Sequence, residues 1–186
     1  LCSDDNYLII NPFFHSFGYK AGWLSAIIRG ARMIPVLSFD LDAVLAQIER
    51  EKISMIPGPP TIYQSLLAHP RRKEYDLSSL RLAVTGAAPV PVELVRQMRE
   101  ELGFEVVVTA YGLTETCGVV SICRADDSAE RISHSSGRAM DGTEIQCVDK
   151  EGQSVVAGID GEIWVRGFNV MRHYFNNGDA TAEALT

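Results

Sequence analysis

Thr109-Ala110-Tyr111-Gly112-Leu113-Thr114-Glu115-Thr116 follows directly on the apolar run Val106-Val107-Val108, and this junction decides how the chain is read. A β-branched run of this kind is a buried strand. Open parallel sheets place ligands outside the carboxyl ends of their strands. A strand ending in Tyr-Gly-x-Thr-Glu therefore delivers a hydroxyl and a carboxylate to that edge. Gly112 lets the backbone approach a ligand closely or adopt φ > 0. The Thr114 hydroxyl can donate to a phosphate oxygen, and Glu115 offers hard oxygen ligands to Mg²⁺. The same residues also fit an ordinary loop with a Thr helix cap.

Upstream, short apolar runs alternate with amphipathic stretches. Tyr7-Leu8-Ile9-Ile10, Met33-Ile34-Pro35-Val36-Leu37, Ile53-Ser54-Met55-Ile56, Leu80-Arg81-Leu82-Ala83-Val84 and Glu105-Val106-Val107-Val108 predict buried strands. Asp40 predicts a helix cap, because Leu41, Val44, Leu45 and Ile48 then form one apolar stripe. Two further stripes follow, Ile62, Tyr63, Leu66 and Leu67, then Leu94, Val95, Met98 and Leu102 between Pro91 and Gly103. Strand and helix alternating at this spacing predict βα units on a mostly parallel sheet with flanking helices, an α/β fold.

The style changes near residue 135. Thr143-Glu144-Ile145-Gln146-Cys147-Val148 and Glu162-Ile163-Trp164-Val165-Arg166 alternate polar and apolar, with a turn at Asp149-Lys150-Glu151-Gly152. Helical periods are not visible here, and antiparallel hairpins are expected. The chain thus divides into an α/β subdomain over residues 1–134, carrying the pocket motifs, and the start of a small antiparallel β-subdomain over 135–186. The polar stretch 124–136 is expected to be their connection.

Composition narrows the function. With 46% apolar and 22% charged residues the chain has ordinary globular usage, and a formal net charge of −7 disfavours nucleic acid and anionic membranes. Cys2, Cys117, Cys123 and Cys147 have neither Cys-x-x-Cys spacing nor a zinc pattern, so free thiols and a cytoplasmic location are expected. No apolar run approaches the roughly 18 residues of a membrane span. Leu1-Cys2-Ser3 carries neither an initiator Met nor a signal peptide, and both ends are expected to be cut from a longer protein.

Two other loops share the edge position. Leu82-Ala83-Val84 runs into Thr85-Gly86-Ala87-Ala88-Pro89, whose small side chains leave room for a flat ring against the backbone; the loop is equally a tight βα turn. Asn11-Pro12-Phe13-Phe14-His15-Ser16-Phe17-Gly18 sets a His among three Phe residues, which fits a half-buried core histidine as well as a site residue.

Taken in order, Phe13-Phe14-His15-Ser16-Phe17-Gly18, Gly86-Ala87-Ala88-Pro89, Tyr111-Gly112-Leu113-Thr114-Glu115 and Gly161-Glu162-Ile163-Trp164-Val165-Arg166-Gly167 resemble consecutive motifs of the adenylate-forming enzymes. That superfamily includes acyl-CoA synthetases, 4-coumarate–CoA ligases, luciferases and peptide-synthetase adenylation domains. The resemblance spans essentially the whole chain and implies part of the family's large N-terminal domain. It implies an ATP-dependent carboxylic acid–CoA ligase using ATP (released as AMP), Mg²⁺ and CoA on a small-molecule carboxylic acid. Tyr111 would stack on adenine beside Gly86, Ala87, Ala88 and Gly112. Thr114 would bond the α-phosphate, Glu115 would ligate Mg²⁺, and His15 would gate or orient at the acyl pocket. Phe14, Tyr19, Gly86 and Val119, with Phe13, Phe17, Trp23 and Val120, are candidate walls of that pocket.

Departures qualify the likeness. The family's Gly/Ser/Thr-rich phosphate loop would precede Leu1, and the ribose-binding Thr-Gly-Asp and the lysine-bearing C-terminal domain would follow Thr186. Gly178-Asp179 lies too early to be that pair. The 186 residues alone are therefore expected to be inactive. No early Asp stands where amino-acid-activating relatives hold an amine, which favours a non-amino acid. The stretches 11–15, 17–22, 57–67 and 109–115 are most similar to an actinobacterial branch that activates a bicyclic propanoate from sterol-ring breakdown. An adenylation domain loading a carrier protein, or a non-catalytic binding module on the same fold, shares these motifs. Oligomeric state is not written in the pattern, and a homo-oligomer stays open.

Overall fold

The computed structural model describes residues 1–185. Its elements run β1 (Asn6–Ile9), a π-helical stretch (Phe17–Leu24), α1 (Ser25–Arg29), β2 (Arg32–Pro35), α2 (Leu41–Glu51), β3 (Met55–Pro57) and α3 (Pro60–Ala68). They continue with β4 (Leu82–Gly86), α4 (Val92–Glu100), β5 (Val106–Tyr111), β6 (Ser121–Ile122), α5 (Ala129–His134), β7 (Arg138–Ala139), β8 (Thr143–Val148), β9 (Glu162–Gly167) and α6 (Gly178–Ala184).

The main sheet has the order β2-β1-β3-β4-β5-β6-β7. Its first five members are parallel, and β6 and β7 join antiparallel. Period-two alternation sorts the side chains of β1: Leu8 belongs to the core under α2, α3 and α4, while Tyr7 and Ile9 pack with Ala26, Met55 and Leu82 on the other face. Both faces are thus covered, as a parallel sheet requires.

The helices form for the reasons their sequences state. The Asp40 carboxylate accepts from the Ala43 N–H at 2.8 Å, and Val44, Leu45 and Ile48 are fully buried beneath that cap. Pro60 opens α3 and Pro91 precedes α4, whose Leu94, Val95 and Met98 enter the same core. At the opposite end, Asp5 gathers the amino-terminal ends of three strands. Only 2% exposed, it accepts from Arg81 through both oxygens at 2.8 and 2.7 Å, from Ser54 at 2.7 Å and from the Cys2 N–H at 2.8 Å.

The fold is the expected one: a mostly parallel sheet with flanking helices, followed by a separate two-stranded antiparallel sheet, β8 with β9. Two local expectations are corrected. The 124–136 connection contains α5, because Ser128 caps it and Ala129 and Ile132 bury three residues apart; flanking Asp, Ser and Arg hid that pair. Helical structure also returns after residue 135 as α6, capped by Asn177 and burying none of its residues, so no apolar period announced it. The main sheet's last strand, β7, lies beyond residue 134.

Candidate active site

The carboxyl ends of β4 and β5 open onto a cleft of about 570 Å³, within the roughly 300–1,000 Å³ of small-molecule sites. Ala87, Ala88, Pro89 and Val90 form one wall, Thr109 to Gly112 the floor, and Ile132 with Ser133, His134, Ser135 and Ser136 the far wall. Gly86 pairs with Ala110 in the sheet; a Cβ there would meet the Ala110 carbonyl oxygen at 2.8 Å, so the two strands approach too closely for a side chain. Ala87 turns the chain at φ +62°, a left-handed conformation that costs an alanine about 1–2 kcal/mol. Such strain gathers at ligand clamps.

Beyond Tyr111 the chain turns tightly. Thr114–Thr116 make a single 3₁₀ turn, in which the Thr116 hydroxyl caps the Leu113 N–H at 3.0 Å. Cys117 (φ +56°) and Gly118 (φ +94°) then reverse the backbone into β6. On this turn Thr114 stands exposed and Glu115 half-buried. Gly112 is pinned: a Cβ there would lie 2.4 Å from the Gly118 carbonyl oxygen and 2.6 Å from Val119 Cα, all main chain. Gly112→Ala should therefore displace the 112–119 loop and destabilise the protein by about 1–3 kcal/mol. Calorimetry checks this, with the same variant expected to lose AMP binding; unchanged melting and unchanged AMP affinity would refute it.

His15 follows β1, and β3 and β4 separate β1 from β5, roughly 14 Å at three strand spacings. Of the expected site residues, Ala87, Ala88, Tyr111 and Gly112 line the cleft, whereas Gly86, Thr114, Glu115, His15, Phe14, Tyr19 and Val119 do not. The 11–18 loop nevertheless folds back toward the rim, since a Cβ on Gly118 would sit 3.2 Å from Ser16 Cβ. His15 Nδ1 accepts from the Phe17 N–H at 3.1 Å, so that nitrogen is engaged. Phe13 and Phe14 are 50% and 91% exposed, while Tyr19 stacks on Trp23 at 4.6 Å with Lys20 over its ring.

The Glu115 carboxyl is electrostatically perturbed by a side chain from far along the sequence. The Tyr174 hydroxyl, donating to Oε1 at 2.5 Å, holds its carboxyl below the usual range. Among the described residues no cluster of three or more His, Cys, Asp or Glu is placed to hold a metal. A lone carboxylate fits Mg²⁺, which is commonly bound by one or two carboxylates plus substrate phosphates, and does not fit an all-protein cage. Sequence reading missed the 132–136 wall, where His134 Nδ1 donates to the Glu130 carbonyl at 2.8 Å, and it missed Asn169 and Tyr174. The Ser-rich run 133–136 is the only signal that pointed to the former.

The family model described as AMP-binding enzyme matches residues 1–175. The chain belongs to the AMP-binding enzyme family. The 3-[(3aS,4S,7aS)-7a-methyl-1,5-dioxo-octahydro-1H-inden-4-yl]propanoyl:CoA ligase of Rhodococcus jostii (strain RHA1) is 51% identical over 98% of this chain and 33% of its own length. The ligase of the same name from Mycobacterium tuberculosis is 51% identical over 100% of this chain and 34% of its own. The chain thus spans about a third of the length of these relatives. The O-succinylbenzoate coenzyme A synthetase of Bacillus subtilis, solved with ATP and magnesium ion, superposes with a TM-score of 0.84 at 32% identity, over 98% of this chain and 37% of that one. No helix among the described residues is long and apolar enough to cross a membrane.

Proposed function

We propose that the full-length protein is an ATP-dependent carboxylic acid–CoA ligase acting through an acyl-AMP, with a bicyclic, sterol-derived propanoate as its acid. One observation carries the reading: the 87–90 loop and Tyr111 line one cleft of about 570 Å³ at the sheet edge, and Thr114 and Glu115 follow on the turn directly beyond Tyr111. Tyr111 offers a ring for adenine, with Ala87 and Ala88 small enough to let the base lie flat. Thr114 presents an exposed donor for the α-phosphate. Glu115 offers a carboxylate for Mg²⁺, which when bound would offset charge on the phosphoryl oxygens. The substrate carboxylate attacks the α-phosphorus and pyrophosphate leaves; the CoA thiolate then attacks the acyl carbon and AMP leaves. His15, its Nδ1 engaged by the Phe17 N–H, orients the acyl group.

The bicyclic acid is supported by the name borne by two relatives at 51% identity. Residues 1–134 would carry the nucleotide and acyl pockets and 135–186 begin a β-subdomain, in a cytoplasmic enzyme whose four cysteines are free. The test is to assay the full-length protein for carboxylate-dependent pyrophosphate release and CoA-thioester formation across fatty, aryl and polycyclic acids. Polycyclic propanoates are expected to give the highest kcat/KM. Pyrophosphate release without thioester until a carrier protein is added would replace the ligase with a carrier-loading domain. Absence of nucleotide binding would leave a binding module.

A further inference from the structure

The chain leaving β9 crosses the loop that carries Thr114 and Glu115. Asn169, 7% exposed, donates to the carbonyls of Thr116 at 3.2 Å and Val119 at 2.9 Å, and the Thr143 hydroxyl donates to its oxygen at 3.2 Å. The Met171 N–H donates to the Glu115 carbonyl at 2.7 Å. These contacts brace the main chain of the loop. Tyr174 does something else: its hydroxyl reaches past the backbone to the Glu115 side chain, meeting Oε1 at 2.5 Å.

A glutamate on a half-exposed turn samples several rotamers, and an arriving cation must select one of them. A hydroxyl already bonded to one oxygen restricts the rotamers that the carboxylate can take. Hydrogen bonds to an ionised acceptor are short and strong, which suits this role. We propose that Tyr174 is a positioning residue that preorganises Glu115 as a ligand for the nucleotide-bound divalent cation, Oε1 being held by the hydroxyl and Oε2 left to the ion. The proposal rests on the ligase reading given above. Partners that orient ligating groups are typically worth about 10- to 100-fold in metal affinity or activity.

Tyr174→Phe in the full-length enzyme keeps the ring and removes only the hydroxyl. The Mg²⁺ concentration giving half-maximal acyl-adenylate formation should rise at least about tenfold, with KM for the acid unchanged. A brace role alone would move both together. An independent readout needs no catalysis: melting temperatures of Tyr174→Phe, Glu115→Ala and the double variant. If the pair is formed, the double variant loses less than the sum of the single losses. Additive losses, or a Mg²⁺ half-saturation equal to wild type, overturn the proposal. Coupling among the variants, together with a wild type that shows no carboxylate-dependent pyrophosphate release, would sink the ligase reading, and the cation role with it, while the hydrogen bond itself stands.

Discussion

Glu115→Gln in the full-length protein is expected to slow single-turnover acyl-adenylate formation by about 10²–10³-fold at limiting Mg²⁺. The substitution is nearly isosteric, and its amide oxygen can still accept from Tyr174, so the turn held by Thr116, Met171 and Asn169 should keep its shape. What changes is charge. A neutral amide oxygen is a poorer hard ligand than a carboxylate, and the substrate's phosphates would have to bind the cation without it. Part of the loss should return as Mg²⁺ is raised, because a weaker site still fills by mass action. Quench-flow measurement of acyl-AMP across a Mg²⁺ series checks this. A rate equal to wild type at limiting Mg²⁺ would remove Glu115 from the metal site.

The second large effect is expected far from the cleft. Asp5→Ala should destabilise the protein by on the order of 3 kcal/mol, since breaking a buried pair strands its partner. The figure sits at the low end because the Arg81 side chain is 35% exposed and water can take over part of its solvation. Burial pushes the Asp5 carboxyl up, but the hydrogen bonds from Arg81, Ser54 and Cys2 together outweigh it and hold the group well below the usual carboxylate range. A depressed folded pKa contributes stability above the unfolded value of roughly 3.9 and loses it as pH falls toward the folded value. Wild type should therefore weaken below about pH 4 more steeply than Asp5→Asn does. Urea midpoints at neutral and acid pH, compared between the two, test it; parallel curves would mean that Asp5 is not the titrating anchor. The connection to function is geometric. Asp5, Ser54 and Arg81 tie the amino ends of β1, β3 and β4 together, and the same strands carry the His15, Gly58 and Gly86 loops at their other ends.

Local pattern reached the fold because the forces that make each element are local. Val106-Val107-Val108 could only be a buried strand, and Asp40 needed nothing but the Ala43 N–H three residues on to start α2. Where local forces are weak the reading failed: α6 has a cap and no buried face, and α5 hides its two apolar residues among polar ones.

The sequence by itself determined the strand–loop junctions, and with them the placing of Gly86, Tyr111, Thr114 and Glu115 at strand ends. A β-branched run and the small or polar residues after it are contiguous in the chain, so their physics is written side by side. Tertiary structure alone decided which of those ends face one another. It set His15 three strands away from Tyr111 and brought Ser16 back against Gly118. It also raised the 132–136 segment as the far wall of the cleft. It set Asn169 and Tyr174 against the loop that carries Glu115, a residue 59 positions before Tyr174 in sequence. The physical reason is that sheet order and loop crossings are chosen by burial summed over the whole core, and no short window of residues contains that sum.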